Sequence, residues 1–306
     1  HEELAADDFV MMLKKRFDAE YIQCNQLLCR PIRTIAICGG AGSFLLHDAI
    51  ETGADAFITG EMHYHEFFGH DQKIQIAVIG HYQSEQFTNE IFKSIIPEIA
   101  KQDFKGILLI VANPVDILTY VAAKLSKLPQ GRVFGSGTVL DSARLKYLLG
   151  EHLDVDNRSV HAFIIGEHGD SEMAAWSSAN VSGIPLNDFC EMRGYFKHEE
   201  SMKKILEEVK NSAYEIIEKK HATYYGIAMS VRRICEAIIR DERSILPVSS
   251  IQKGEYGIEN VALSIPAIVG REGVEKVVPI KLSDTEKKEL MKSAETLKNV
   301  LGTVEF

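Results

Sequence analysis

Thr34-Ile-Ala-Ile-Cys-Gly-Gly-Ala-Gly-Ser43 decides the fold: a short apolar run breaks into glycines and passes directly into an amphipathic stretch over 44–52. A buried strand, a tight turn and a helix in that order open a β-α-β unit. Working outward, apolar runs over 54–59 and 74–79 read as further strands, which completes β-α-β-α-β. A helical pattern over 85–101 follows, with Phe87, Ile91, Ile95 or Ile96 and Ile99 on one face, and then a strand over 107–111 that ends at Asn113-Pro114. Strands spaced by helices imply a parallel sheet covered on both faces, so the class is α/β. Beyond Asn113 the spacing changes. Helices are expected over 116–127, 141–150, 199–220 and 226–239, and strands over 160–165, 244–250, 261–269 and 277–280. A last helix over 284–301 is opened by Ser283-Asp-Thr-Glu286, which fits a capping box.

Composition narrows the function classes. The chain has 306 residues, of which 45% are apolar, and its 34 Lys and Arg are outnumbered by 44 Asp and Glu for a net charge of −10. No overall positive field exists to draw in nucleic acid or an anionic membrane surface, so neither is expected as a partner. The apolar run Gly106-Ile-Leu-Leu-Ile-Val-Ala112 is too short to span a bilayer, and no export signal is read at the N-terminus. Five dispersed cysteines, Cys24, Cys29, Cys38, Cys190 and Cys235, suit a reducing compartment, and a cytoplasmic location is expected.

Candidate chemistry gathers after residue 105. In Gly166-Glu-His-Gly-Asp170 a histidine follows a strand between glycines, where it can exchange a proton near neutral pH. Leu140-Asp-Ser-Ala-Arg144 puts Asp141 and Arg144 on one helical face. Asp141 can orient and charge His168, while Arg144 can hold a carboxylate with two parallel hydrogen bonds. Asn113 ends a parallel strand, where ligands of open α/β sheets bind. Taken singly, such a histidine is most often a core residue and such an Asp-Arg pair a surface ion pair. Their combination is what points to a site.

Asn113-Pro-Val-Asp-Ile-Leu-Thr-Tyr120, Gly135-Ser-Gly-Thr-Val-Leu-Asp-Ser-Ala-Arg144, Gly166-Glu-His-Gly-Asp-Ser-Glu172 and Ala222-Thr-Tyr-Tyr-Gly226 resemble bacterial L-lactate dehydrogenase, in order and at that family's spacing. The resemblance covers about 89–302. It implies a proton relay at His168, support by Asp141, carboxylate binding by Arg144, substrate and nicotinamide contacts by Asn113, and a pocket wall at Thr223. The implied cofactor is NAD, the substrate a small 2-oxo or 2-hydroxy acid, and the assembly a homo-oligomer. His161 matches a histidine of the family's sugar-bisphosphate effector site, and Lys146 stands there in place of the usual arginine.

Two of the family's parts are altered. Its dinucleotide turn is Gly-x-Gly-x-x-Gly followed by an acid. Here Gly40 and Gly42 fill the first two places, Leu45 replaces the third, and Glu61 stands where the acid is expected. Its polarising arginine sits on a loop after the third strand, yet no arginine occurs between Arg33 and Arg132. Losing a donor aimed at a developing oxyanion costs about 3 kcal/mol.

The segment in that place has another signature. Thr34–Ser43, Asp55-Ala-Phe-Ile-Thr-Gly-Glu-Met-His-Tyr-His65 and Ile79-Gly-His-Tyr-Gln-Ser-Glu85 resemble the C-terminal part of the NIF-three-like family, dinuclear-metal proteins often described as a GTP cyclohydrolase homologue. This second resemblance spans about 2–88. It implies His81 and Glu85 as ligands of a divalent metal, with His65 nearby. That family's other ligands come from an earlier segment that is expected to be missing, which leaves the site incomplete.

The expectation is therefore a hybrid Rossmann-like domain over 1–135, joined somewhere in 85–102 and completed by a helix over 225–243. A dehydrogenase-type α+β substrate domain over 136–224 and 244–306 accompanies it. Each parent stops inside a sheet, whereas a natural fusion normally keeps whole domains, so the hybrid is read as engineered. It is expected to be inactive or severely impaired and mainly a fold hybrid. A weakly active NAD-dependent 2-hydroxy-acid dehydrogenase and a residual metal-binding module remain as alternatives.

Overall fold

The computed structural model describes residues 3–195, 198–220 and 225–303. It divides into two compact units, the first running to Glu90 with a short segment from Ile216, and the second starting at Ile91.

The first unit begins with α1 (Ala6–Arg16), an element the sequence reading passed over. Its Ala6, Phe9 and Leu13 are buried, Asp7 and Asp8 lie in its first turn and Lys14, Lys15 and Arg16 in its last, an arrangement that complements the helix dipole. The elements β1 (Gln23–Cys24), β2 (Ile35–Cys38), α2 (Leu46–Glu51), β3 (Ala56–Thr59), β4 (Gln75–Val78) and α3 (His81–Glu85) follow. Strands β2, β3 and β4 pair in parallel, and β1 adds antiparallel to β4, giving the order β1-β4-β3-β2. Strands β3 and β4 are buried throughout. α1 packs Phe9 and Leu13 with Ile58 and Ala77 on one side, while Leu46 and Ala49 of α2 belong to a second cluster with Phe57 and Ile76. The expected helix over 85–101 is instead two: α3 and then α4 (Thr88–Lys101).

In the second unit β5 (Leu108–Ile110), α5 (Val115–Ser126), β6 (Val133–Gly135) and α6 (Val139–Leu153) form a β-α-β-α series. The small strands β7 (Val160–His161), β8 (Ile164–Ile165), β9 (Met173–Ala174), β10 (Asn180–Val181) and β11 (Ile184–Pro185) follow, then α7 (Leu186–Met192), α8 (His198–Lys220) and α9 (Tyr225–Ile239). The chain continues with β12 (Ser244–Leu246), β13 (Ser249–Lys253), β14 (Glu259–Ser264), β15 (Ala267–Gly270), β16 (Gly273–Val277) and α10 (Asp284–Leu301). The α/β class holds, but the parallel strands are not one sheet. β5 and β6 are parallel, and antiparallel β13 and β14 extend them in the order β14-β13-β6-β5, a sheet separate from that of β2, β3 and β4. The expected single strand over 160–165 divides because β7 pairs with β10 and β8 with β9. The expected strands over 244–250 and 261–269 each break at a proline, Pro247 and Pro266, which has no N–H to give a ladder. Leu145, Leu149 and Leu153 of α6, spaced by four, are fully buried and pack with Met202, Ile205 and Val209 of α8. The side chain of Ile216, further along α8, lies outside the described residues.

Candidate functional site

Two clusters, one in each unit, bring together several of the residues singled out from the sequence. In the second unit, α6 is anchored at its N-terminus to the strand that leads to His168. Thr138 Oγ1 donates to the Ile164 carbonyl at 2.6 Å, and Ser142 Oγ accepts from Ile164 N at 2.8 Å. The following loop is held by other segments. Gly166 pairs with Ser264 of β14, Ser293 Oγ of α10 accepts from Glu167 N at 2.9 Å, and Asp116 of α5 accepts from His168 N at 2.8 Å. Gly166 has φ +92°, and a β-carbon there would lie 2.9 Å from Ser293 Oγ, so the turn requires glycine.

These restraints bring the expected residues together. His168 Nδ1 is 2.7 Å from Asp141 Oδ2, and Arg144 Nη1 donates to Asp141 Oδ1 at 3.3 Å. Asp141 is 3% exposed, so its charge acts where water screens it little. Burial alone would lower the His168 pKa, but the hydrogen bond and charge of Asp141, helped by the charges of Asp116 and Glu172, hold it above the ordinary histidine value. With Nδ1 held by Asp141, Nε2 is the ring atom left to exchange a proton with a ligand. Asn113 is exposed on the connection between β5 and α5, and Thr223 lies outside the described residues.

Two further acids, Asp116 and Glu172, stand within the same sequence motifs. Asp116 is fully buried and accepts from Ser249 Oγ as well as from His168 N. Burial pushes its pKa up to about 6 against those hydrogen bonds. Glu172 is 5% exposed, and a carboxyl oxygen of it lies with one of Asp141 and a ring nitrogen of His168 inside a group spanning no more than 4.8 Å. Burial first, and Asp141's charge second, push Glu172 up to about 8 in spite of His168, Lys210 and Arg144. An acid leading into the apolar stretch Met173-Ala-Ala-Trp176 was the available signal. Of the effector positions, His161 is exposed, and Lys146 lies over the Phe163 ring at 5.4 Å. Burial, with Arg233's charge, lowers the Lys146 pKa. A cavity of about 760 Å³ elsewhere in this unit, bordered by Lys124, Gln130, Lys253 and Glu275, contains none of the expected residues.

In the first unit, the glycine turn after β2 folds onto α3. Gly40 has φ +64°, and its N–H donates to Ser84 Oγ at 2.9 Å. Gly42 N–H donates to Thr59 Oγ1 at 3.0 Å. A β-carbon on Gly40 would lie 2.8 Å from Glu85 Oε1 and 3.5 Å from the His81 ring. The residues expected separately for a dinucleotide and for a metal are thus neighbours. His81 Nδ1 is 2.9 Å from Glu61 Oε1, and Nε2 is 3.3 Å from Glu85 Oε2. His65 stacks on His63 with ring centroids 5.7 Å apart. Tyr21, Ser43, Glu61, His63 and His81 line part of a cleft of about 440 Å³.

The turn is closed on neighbouring side chains in a way that does not suit a pyrophosphate. The N–H groups of Gly40 and Gly42 are bonded to Ser84 and Thr59, and the carboxylate of Glu85 stands before Gly40.

Comparison with known proteins also finds two parts, with bounds that differ from those of the two units. Residues 138–305 match the lactate/malate dehydrogenase, alpha/beta C-terminal domain, and residues 1–114 match Duf34/NIF3 (NGG1p interacting factor 3), which reaches past residue 88 where that resemblance was read to end. The L-lactate dehydrogenase of Acetivibrio thermocellus is 55% identical over 217 residues, 71% of this chain and 68% of that protein. That of Thermoanaerobacterium saccharolyticum is 56% identical over 216 residues, 71% of this chain and 70% of that protein. Among solved structures, the ligands-bound minor L-lactate dehydrogenase of Enterococcus mundtii matches with a TM-score of 0.71 at 32% identity, covering 89% of this chain and 98% of that one. A lactate dehydrogenase from a Medee basin deep-sea metagenome library gives 0.68 at 33%, with the same coverages.

Proposed function

Because the chain belongs to the lactate/malate dehydrogenase family, with a Duf34/NIF3 segment at its N-terminal end, we propose that it keeps one half of a 2-hydroxy-acid dehydrogenase site and lacks the other. The half that remains handles a proton and a carboxylate. His168 Nε2 gives a proton to a 2-oxo oxygen or takes one from a 2-hydroxyl, Asp141 holds the ring through Nδ1, and Arg144 offers its fork to the ligand's carboxylate. The half that is lost is the dinucleotide cradle, together with the polarising arginine. Reduction of pyruvate by NADH is accordingly absent or severely impaired, and the molecule is chiefly a hybrid fold made by joining two parents.

One observation carries this reading: the N–H groups of Gly40 and Gly42 are committed to Ser84 and Thr59. Fluorescence titration of purified, metal-free protein with NADH, followed by pyruvate in the same cuvette, tests it. No saturable binding up to millimolar NADH is expected. Saturable binding followed by turnover that disappears in His168→Ala would overturn it. A cytoplasmic location and a homo-oligomeric assembly belong to the same reading, and sedimentation tests the second.

A further inference from the structure

Three ionisable side chains, not two, meet at the proton-handling end of the second unit. Asp141 and Glu172 are 3% and 5% exposed, and their carboxyl oxygens and a His168 ring nitrogen all lie within 4.8 Å of one another. The partners of Asp141 are plain: His168 Nδ1 at 2.7 Å and Arg144 Nη1 at 3.3 Å. Glu172 is brought there by the loop, since its own N–H closes a turn on the Gly169 carbonyl at 3.0 Å. Two carboxylates in one buried site cannot both ionise at their ordinary pH, because each raises the energy of the other's charge while burial withholds water from both.

We propose that Glu172 is a third member of the His168–Asp141 site, a positioning residue that shares protons with that pair and sets the charge the pocket shows to a small carboxylate ligand. The inference rests on reading His168 as the proton-carrying group. Its charge arithmetic is simple. With both acids ionised, they cancel a protonated His168 and Arg144, and an entering monoanion meets a neutral site. With Glu172 protonated, the same site carries one net positive charge and is complementary to that monoanion. The charged groups acting on this balance are Asp141 and Arg144 on α6, Asp116 on α5, Lys210 on α8 and Glu167 on the loop itself. Lys210 is held at a distance by donating to the Asp170 carbonyl at 2.9 Å. Because sharing couples the groups, the pair titrates in two macroscopic steps rather than as two independent residues.

The test is an NMR pH titration of the full chain without any ligand, with ¹³C in histidine rings and glutamate carboxyls. His168 is assigned by its loss in His168→Gln, and Glu172 by its loss in Glu172→Gln. The wild-type His168 ring should follow two steps. Glu172→Gln should reduce them to one with a lower midpoint, and Glu172→Asp, which keeps a carboxyl, should restore the second. The Glu172 carboxyl itself should titrate well above the surface glutamates. A Glu172 carboxyl that titrates with the surface glutamates, or a His168 curve unchanged by Glu172→Gln, would overturn the proposal. Should Glu172→Gln fail to fold, the multiplet of wild-type carboxyl titrations still decides, since a single glutamate displaced to alkaline pH is either present or absent. Neither NADH nor pyruvate enters this measurement, so its outcome is independent of the cofactor titration.

Discussion

Each unit contains one histidine beside two carboxylates, and the two groups differ chiefly in burial. In the first, the His81, Glu61 and Glu85 side chains are each about half exposed. In the second, Asp141 and Glu172 are almost wholly buried and His168 is 29% exposed at its side chain. Water competes for the first group and leaves it a set of surface ion pairs, whereas in the second every charge is felt by its neighbours. The difference originates in the helices. α3 has five residues and buries none of them, while α6 has fifteen and is seated by Leu145, Leu149 and Leu153, which carry Asp141 down with them. Proximity of a histidine to acids thus does not by itself withdraw their charges from water. A buried helix face beneath them supplies the rest.

The largest expected effect breaks the buried group. Asp141→Ala removes the acceptor of both His168 and Arg144, leaving a poorly solvated guanidinium unpaired, and should lower the unfolding free energy by about 3 kcal/mol in urea denaturation. The milder Asp141→Asn should lower the His168 pKa, because the residue's charge is a principal influence holding it up. An unchanged His168 titration in that variant would place the ring's proton affinity elsewhere.

A second contrast is in the response to pH. In the first unit Asp55 accepts from Arg33 N, Thr34 N, Thr34 Oγ1 and Arg30, and these hydrogen bonds, outweighing burial, hold its carboxyl well below the usual range. A depressed carboxyl gives stability that is present above the unfolded value near about 4 and is lost as the pH falls toward the folded one. Asp55→Asn should therefore cost about 2 kcal/mol at neutral pH and progressively less in acid. Asp116 and Glu172, raised to about 6 and about 8, work oppositely. Between about pH 4 and those values the folded state holds protons that the unfolded chain has released, so stability falls as pH rises. Glu172→Gln should reduce that slope up to about pH 8 and leave the limb below about pH 4 unchanged. Denaturation midpoints measured across the pH range separate the two limbs.

How much of this was legible depended on whether the sequence carried periodicity or only proximity. The β-α-β order, the long helices and the capping box were readable, and the box is formed, with Ser283 Oγ accepting from Glu286 N and Glu286 Oε2 accepting from Ser283 N. The set His168, Asp141 and Arg144 was readable because spacing on one helix and a motif at a strand end fix direction. α1 also carried its signal, with Phe9 and Leu13 four apart between acidic and basic ends. The strands of two residues did not, since a pair of residues has no period to detect. Nor could the sequence show that the glycine turn would be filled by Ser84 and Glu85, which arrive from more than forty residues away. The same holds for Asp116 under His168, a contact across 52 positions.

The next effect is smaller and probes the glycine turn itself. Ser84→Ala removes the acceptor of Gly40 N–H, a part-buried bond, and should cost about 1 kcal/mol. It should leave NADH binding undetectable, because Thr59 still holds Gly42 N–H and Glu85 still faces Gly40. NADH binding gained by this one change would mean that the turn is merely stoppered and otherwise fit for a dinucleotide.

The smallest effect is expected at His81, and it bears most directly on what the exposed cluster is. The ring faces Glu61 through one nitrogen and Glu85 through the other, and all three side chains meet water. As ion pairs they contribute little, so His81→Ala should change stability by less than about 1 kcal/mol, with the difference shrinking further in high salt as exposed charges are screened. A ligand set behaves otherwise. Were the cluster the core of a divalent-metal site, elemental analysis of the purified wild-type protein would find stoichiometric metal that His81→Ala loses, and chelation would lower the melting temperature of the wild type alone. The expected result is no stoichiometric metal and superimposable melting curves with and without chelator. Either result says whether an imidazole between two carboxylates, without a buried face beneath it, does more here than join a turn to a short helix.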